Sequence, residues 1–128
     1  MIGDSIEIKD AYIINISLEF EIIVSPNFNN SEVLINCINE LKDYFSIDKW
    51  QLKQPILLKE LFISLDKVKG VQTVKNILVK NKVGGNYSQY AYDIDAATQN
   101  QVIYPSLDPS IFEIRNPDQD IKGRVVPL

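Results

Sequence analysis

Apolar and polar residues alternate with unusual persistence near the start of this chain. From Tyr12 to Val24 every second position is apolar (Tyr12, Ile14, Ile16, Leu18, Phe20, Ile22, Val24), while Asn15, Ser17, Glu19 and Glu21 occupy the other face. Period-2 alternation carried past the usual ~5–6 residues predicts one long strand with a wet face. Ser25–Asn30 reads as a loop, and Asn29 with Glu32 three positions later predicts a capped helix start. In the helix that follows, Leu34, Cys37, Ile38, Leu41, Tyr44 and Phe45 recur at three- and four-residue steps and make one apolar stripe.

Ser46–Lys53 is a short connection containing Ile47 and Trp50, the only tryptophan. Pro55 then opens a second predicted helix whose stripe is Leu58, Leu61, Phe62, Leu65 and Val68, and Gly70 ends it. Leu61 and Leu65 are expected to lie buried against Ile14, Ile16 and Leu18. Val71–Lys80 predicts a strand, bulged near Lys75-Asn76 where the alternation slips. Two amphipathic helices on one sheet face give a two-layer α+β domain of strand–helix–helix–strand order. One domain over residues 1–128 is expected, with the α+β core in 1–80 and a β/loop extension in 81–128. In that extension Gly84-Gly85-Asn86 signals a turn with a hairpin partner through Tyr87–Tyr92, and short strands are expected at Val102–Tyr104 and Ile111–Arg115, set apart by Pro105, Pro109 and Pro117. This third of the chain is expected to wrap back on the sheet or to dock on a partner.

Composition narrows the function mainly by exclusion. At 128 residues, 45% hydrophobic and 23% charged, the chain has the balance of an ordinary folded domain. Net charge -4 without a basic stripe argues against nucleic acid. Asp4, Glu7 and Lys9 interrupt any signal-like apolar run, and Ala11–Val24 is too short and too polar to span a bilayer as a helix. The lone Cys37 forms no internal disulfide, fits a reducing compartment, and sits on a helix stripe as a core residue rather than a nucleophile.

Histidine is absent, which removes the commonest general base and metal ligand. Gly84-Gly85 lacks the surroundings of a phosphate loop or dinucleotide fingerprint. The pairs Asp93/Asp95 and Asp118/Asp120 do not continue into a calcium loop, so they read as solvated acids, and Glu19 and Glu21 as solubilising. No catalytic, cofactor-binding or metal-binding residue is assigned, and no small-molecule substrate is expected. The tyrosines Tyr87, Tyr90 and Tyr92 read as interface anchors, with packing within the chain as the competing reading. Val125, Val126 and Leu128 join them as an expected interface, on the premise that both segments lie outside the core.

Six phrases carry a resemblance: Asp43-Tyr44-Phe45, Trp50-Gln51 before Gln54-Pro55-Ile56, Gly70-Val71-Gln72-Thr73-Val74, Tyr87-Ser88-Gln89-Tyr90-Ala91-Tyr92-Asp93, Tyr104-Pro105-Ser106, and Asp120-Ile121-Lys122-Gly123-Arg124-Val125. Together they span nearly the whole chain. They resemble the C-terminal domain of baseplate J-like proteins of contractile phage tails, and among these the large wedge subunits of T-even-type phages. The helix–Gly-Val–strand passage is weak by itself, whereas the tyrosine phrase and the terminal phrase are specific. Subunits of that family are several-fold longer than 128 residues. The resemblance therefore implies the C-terminal portion of such a subunit, with Met1 added, or a short stand-alone relative. It further implies a structural virion protein, made late and assembled in the host cytoplasm, that forms a homodimer, touches other wedge proteins and joins wedges into the tail baseplate. It brings no catalytic residues. Two other classes compete: a ferredoxin-like regulatory domain sensing a small ligand, although Ser25–Asn30 lacks the glycine such loops usually carry, and a hydrolase built on scattered carboxylates.

Overall fold

The computed structural model describes residues 12–46, 50–106 and 110–128. Asp4, Glu7, Lys9, Ala11, Ile47 and Pro109, each used in the sequence reading, lie outside the described residues. The alternating segment forms one strand, β1 (Tyr12–Val24), followed by helix α1 (Asn30–Tyr44). Asn29 caps α1 as its spacing predicts, its side-chain oxygen accepting the Glu32 N–H at 3.0 Å. Val33, Cys37 and Leu41 are the buried residues of this helix. Val33 falls outside the predicted stripe.

Pro55 does not open a helix. Ile56–Leu57 form a short strand, β2, and helix α2 covers Leu58–Asp66. The reason is tertiary: Ile56 is buried, and β2 pairs with β5 (Val102–Ile103) in a small three-stranded antiparallel sheet completed by β4 (Thr98–Gln99). That sheet also serves α2, whose first N–H, on Leu58, donates to the Gln101 carbonyl at 2.9 Å. The β4–β5 turn places Asn100 and Gln101 at φ 52° and 65°, the positive values of a two-residue hairpin turn.

Gly70 follows α2 at φ 98°, and a Cβ there would stand 2.7 Å from Val33 Cγ2, so both conformation and space demand glycine. β3 (Val71–Asn81) returns antiparallel to β1. Its register steps from Glu21–Asn76 to Ile22–Val74, which leaves Lys75 as the extra residue of the expected bulge.

The last third of the chain is part of the main sheet. β6 (Ser110–Glu113) pairs in parallel with Tyr12–Asn15, and β7 (Ile121–Val125) pairs in parallel with Leu18–Ile22. These two strands share the edge of β1 opposite β3. Between the pairs Asn15–Glu113 and Leu18–Ile121, β1 advances three residues (15 to 18) and its partner eight (113 to 121). The surplus forms a step containing the short helix α3 (Pro117–Asp120). The main sheet is thus four-stranded, with β1 central.

Both α1 and α2 cover the face of β1 that carries Ile14, Ile16, Leu18, Phe20 and Ile22, with α1 over β7 and α2 over β3. Leu61 and Leu65 are fully buried in this core, as expected. The α+β class holds. The opposite face is only partly wet. Glu19 and Glu21 are paired across strands, Lys80 Nζ lying 3.3 Å from Glu19 and Arg124 Nε donating to Glu21 at 2.7 Å. Asn15 and Ser17, expected on that wet face, are buried. The segment after β3 is held against Asn15, with Lys82 N–H donating to the Asn15 carbonyl at 2.8 Å and Ser88 N–H to Asn15 Oδ1 at 2.6 Å.

Candidate interaction surface

No strand forms through Tyr87–Tyr92, so the expected hairpin is replaced by an irregular segment held down by side chains. Asn15 takes the Ser88 N–H, Asn81 Oδ1 takes the Tyr92 N–H at 2.8 Å, and Ser88 Oγ takes the Tyr90 N–H at 3.1 Å. Two asparagines on β1 and β3 therefore do what a strand ladder would otherwise do.

These anchors set an aromatic row. Tyr12, at the start of β1, stacks on Tyr90 at 4.7 Å between centroids, and Tyr90 lies near-parallel to Tyr92 at 6.3 Å. Tyr92 leans on Phe112 of β6 at 6.2 Å and donates its hydroxyl to the Tyr104 carbonyl at 2.6 Å. Burial and then the neighbouring Tyr90 hydroxyl raise the Tyr92 pKa above its ordinary value. Tyr12, the outer ring of the row, remains accessible at 47% exposure, as does Tyr104, whose carbonyl holds the Tyr92 hydroxyl, at 48%. Neither is among the interface residues expected from the sequence. Tyr12 read only as the first residue of an amphipathic strand, and a stacking partner 78 positions away (12 to 90) leaves no local trace.

Of the six expected interface residues, only Tyr90 and Tyr92 lie in this row. Tyr87 turns inward, its hydroxyl 2.8 Å and 3.0 Å from the two oxygens of buried Asp120. Val125 pairs with Ile22 and packs on the core, and Val126 N–H donates to the Ile22 carbonyl at 2.9 Å. Leu128 is exposed. Val125, Val126 and Leu128 therefore belong with the Ile22 end of β1 and the tyrosine row with its Tyr12 end, ten residues or roughly 30 Å apart at strand rise. They do not form one patch. The premise that both segments lie outside the core is corrected, because β7 supplies sheet.

The carboxylate pairs have structural partners. Asp93 Oδ1 accepts the Ala96 N–H at 3.0 Å, and Asp118 pairs with Lys42 at 2.5 Å, which lowers its pKa. Among the described residues no group of three or more carboxylate, cysteine or histidine side chains is placed to hold a metal. No helix of the described residues is long and apolar enough to cross a membrane.

Cys37 is fully buried, and burial, followed by the charge of Glu40, pushes its thiol up to about 11. At about pH 8 only about one thiol in a thousand would be ionised. Native protein is therefore expected to react with a disulfide reagent such as DTNB only as fast as it opens, and stoichiometrically once denatured. Prompt labelling of the native chain would place Cys37 at the surface. No protein-family model matches this sequence, and no curated protein matches it either.

Proposed function

We propose that this chain is a structural assembly module: a baseplate wedge domain of a contractile phage tail that pairs with a second copy and links neighbouring wedge proteins, without catalytic chemistry of its own. The tyrosine row is the observation that carries this reading. Three near-parallel or stacked rings, fastened to two strands, are already ordered before any partner arrives, so little conformational entropy remains to be lost on contact. Tyrosine offers a large apolar face and a hydroxyl for the wet rim, the combination found at interface hot spots. The phrase Tyr87–Asp93, which contains two of those rings, is also among the more specific parts of the wedge resemblance. The element order departs from the βαββαβ of a ferredoxin-like domain, so the ligand-sensing alternative gains nothing from it.

Sedimentation velocity over a concentration series tests the proposal. The chain is expected to dimerise, and Tyr12→Ala combined with Tyr90→Ala is expected to weaken that dimer by about tenfold or more, with helical circular dichroism retained. A chain that stays monomeric at the highest concentrations would remove the self-association reading. A dimer indifferent to both substitutions would place the interface on another face.

A further inference from the structure

The end of α1, Trp50 and the step between β6 and β7 enclose a cavity of about 490 Å³, within the size range of small-molecule sites. Phe45, Trp50, Ile111, Ile114, Pro117 and Ile121 supply its apolar walls. Two cations, Lys42 and Arg115, line it as well. Lys42 is already paired with Asp118, whereas Arg115 has no ion-pair partner among the described residues. Glu113 also borders the space, but its Oε1 is engaged by Asn15 Nδ2 at 2.7 Å.

Trp50 adds an independent observation. It is only 7% exposed, and its indole Nε1 is the one buried side-chain nitrogen or oxygen among the described residues with no hydrogen-bond partner. A buried donor left without an acceptor costs about 1–3 kcal/mol, so such groups call for an explanation. Trp50 also borders a smaller hollow of about 290 Å³, but Glu40, Asp43 and Glu60 line that one and would repel an anion.

We propose that the cavity at the β6–β7 step binds a small amphipathic carboxylate, its hydrocarbon body against Phe45, Trp50 and the isoleucines and its carboxylate toward Arg115. An acceptor oxygen on such a ligand satisfies the Trp50 indole, which nothing among the described residues does. Arg115 gives the anion a charge-assisted partner at the mouth. Because the ligand would touch α1, the Trp50 segment and the step, its binding also braces the sheet edge that β6 and β7 share. This site is separate from the tyrosine row and does not depend on the assembly reading.

The test uses 4-phenylbutyrate as probe and its uncharged amide as control, read by titration calorimetry on the whole chain. The acid is expected to bind saturably with a dissociation constant between roughly 10 μM and 1 mM, and the amide about tenfold more weakly. Arg115→Gln and, separately, Trp50→Phe are each expected to weaken the acid by about fivefold with the folded circular dichroism spectrum retained. As Trp50 is the only tryptophan, its emission should shift with the same midpoint in the parent chain. Equal affinity for acid and amide, indifference to Arg115→Gln, or no saturable binding would each overturn the proposal. A Trp50 emission shift produced by raising protein concentration alone would overturn it too, assigning the cavity to a second copy.

Discussion

Gly123→Ala is expected to destabilise the fold by about 3 kcal/mol, the upper end of the range for overpacked cores. Gly123 lies on β7 directly opposite Phe20 of β1, and the Phe20 ring fills the space a side chain would take. A Cβ at Gly123 would meet Phe20 Cζ, Cε2 and Cε1, and even Cε1, the farthest of them, would be only 2.6 Å away. Phe20 is almost fully buried on the central strand of the sheet, so its ring has no empty volume to enter. Either the ring leaves its rotamer or β7 moves off β1, and both undo packing that α1 makes on that strand. A double-mutant cycle separates this mechanism from a general effect of alanine in a strand. Phe20→Leu removes the obstructing ring, so Gly123→Ala should cost much less in that background, leaving a coupling of about 1–2 kcal/mol. Urea unfolding of the four proteins gives the answer. A single Gly123→Ala variant within about 0.5 kcal/mol of the parent would show that β7 is not seated against Phe20.

The Gly123 contact marks the boundary between what was legible in the sequence and what was not. Signals carried within one element read correctly. The alternation of Tyr12–Val24 gave a strand, Asn29 and Glu32 a cap, the slip at Lys75 a bulge, and Leu61 and Leu65 a buried helix face. Features that depend on a distant partner did not. Ser110–Glu113 falls where a strand is expected over Ile111–Arg115, whereas Ile121–Val125 is not expected as one, and for neither does any local signal give the parallel pairing on the edge of β1. Pro55 reads as a helix opener, yet Ile56 is drawn into the small sheet by pairing with Ile103. Tyr87 reads as an exposed aromatic but meets a buried carboxylate 33 positions on. For the candidate interaction surface, two of the three tyrosines are identifiable from their clustering, whereas the Tyr12 ring and the Tyr104 carbonyl join them only through the tertiary path of the chain.

Asn15→Ala is expected to cost about 2–4 kcal/mol and to loosen the tyrosine row together with the sheet edge. Polar residues on the open face of a strand are normally replaceable, and the period-2 pattern puts Asn15 there. Its burial to 1% exposure reverses that expectation. The side chain joins two distant segments, Oδ1 accepting from Ser88 N–H at 2.6 Å and Nδ2 donating to Glu113 Oε1 at 2.7 Å. Alanine leaves both groups without their partner, at about 1–3 kcal/mol for each that water cannot reach; the half-buried Glu113 can recover part of its share from solvent. Asn15→Asp is the informative control. It keeps an acceptor for Ser88 but sets a second carboxylate against Glu113, so it should fail to restore stability at neutral pH and recover in part as acid protonates one of the pair. Amide exchange supplies the local readout, since Ser88 and Tyr92 should lose protection in Asn15→Ala while α1 and α2 keep theirs. Because Tyr90 is positioned through Ser88, the proposed dimer should weaken as well, although Asn15 itself is buried. Full protection at Ser88 with a cost below about 1 kcal/mol would mean that ring stacking, not the asparagine, holds the segment on the sheet.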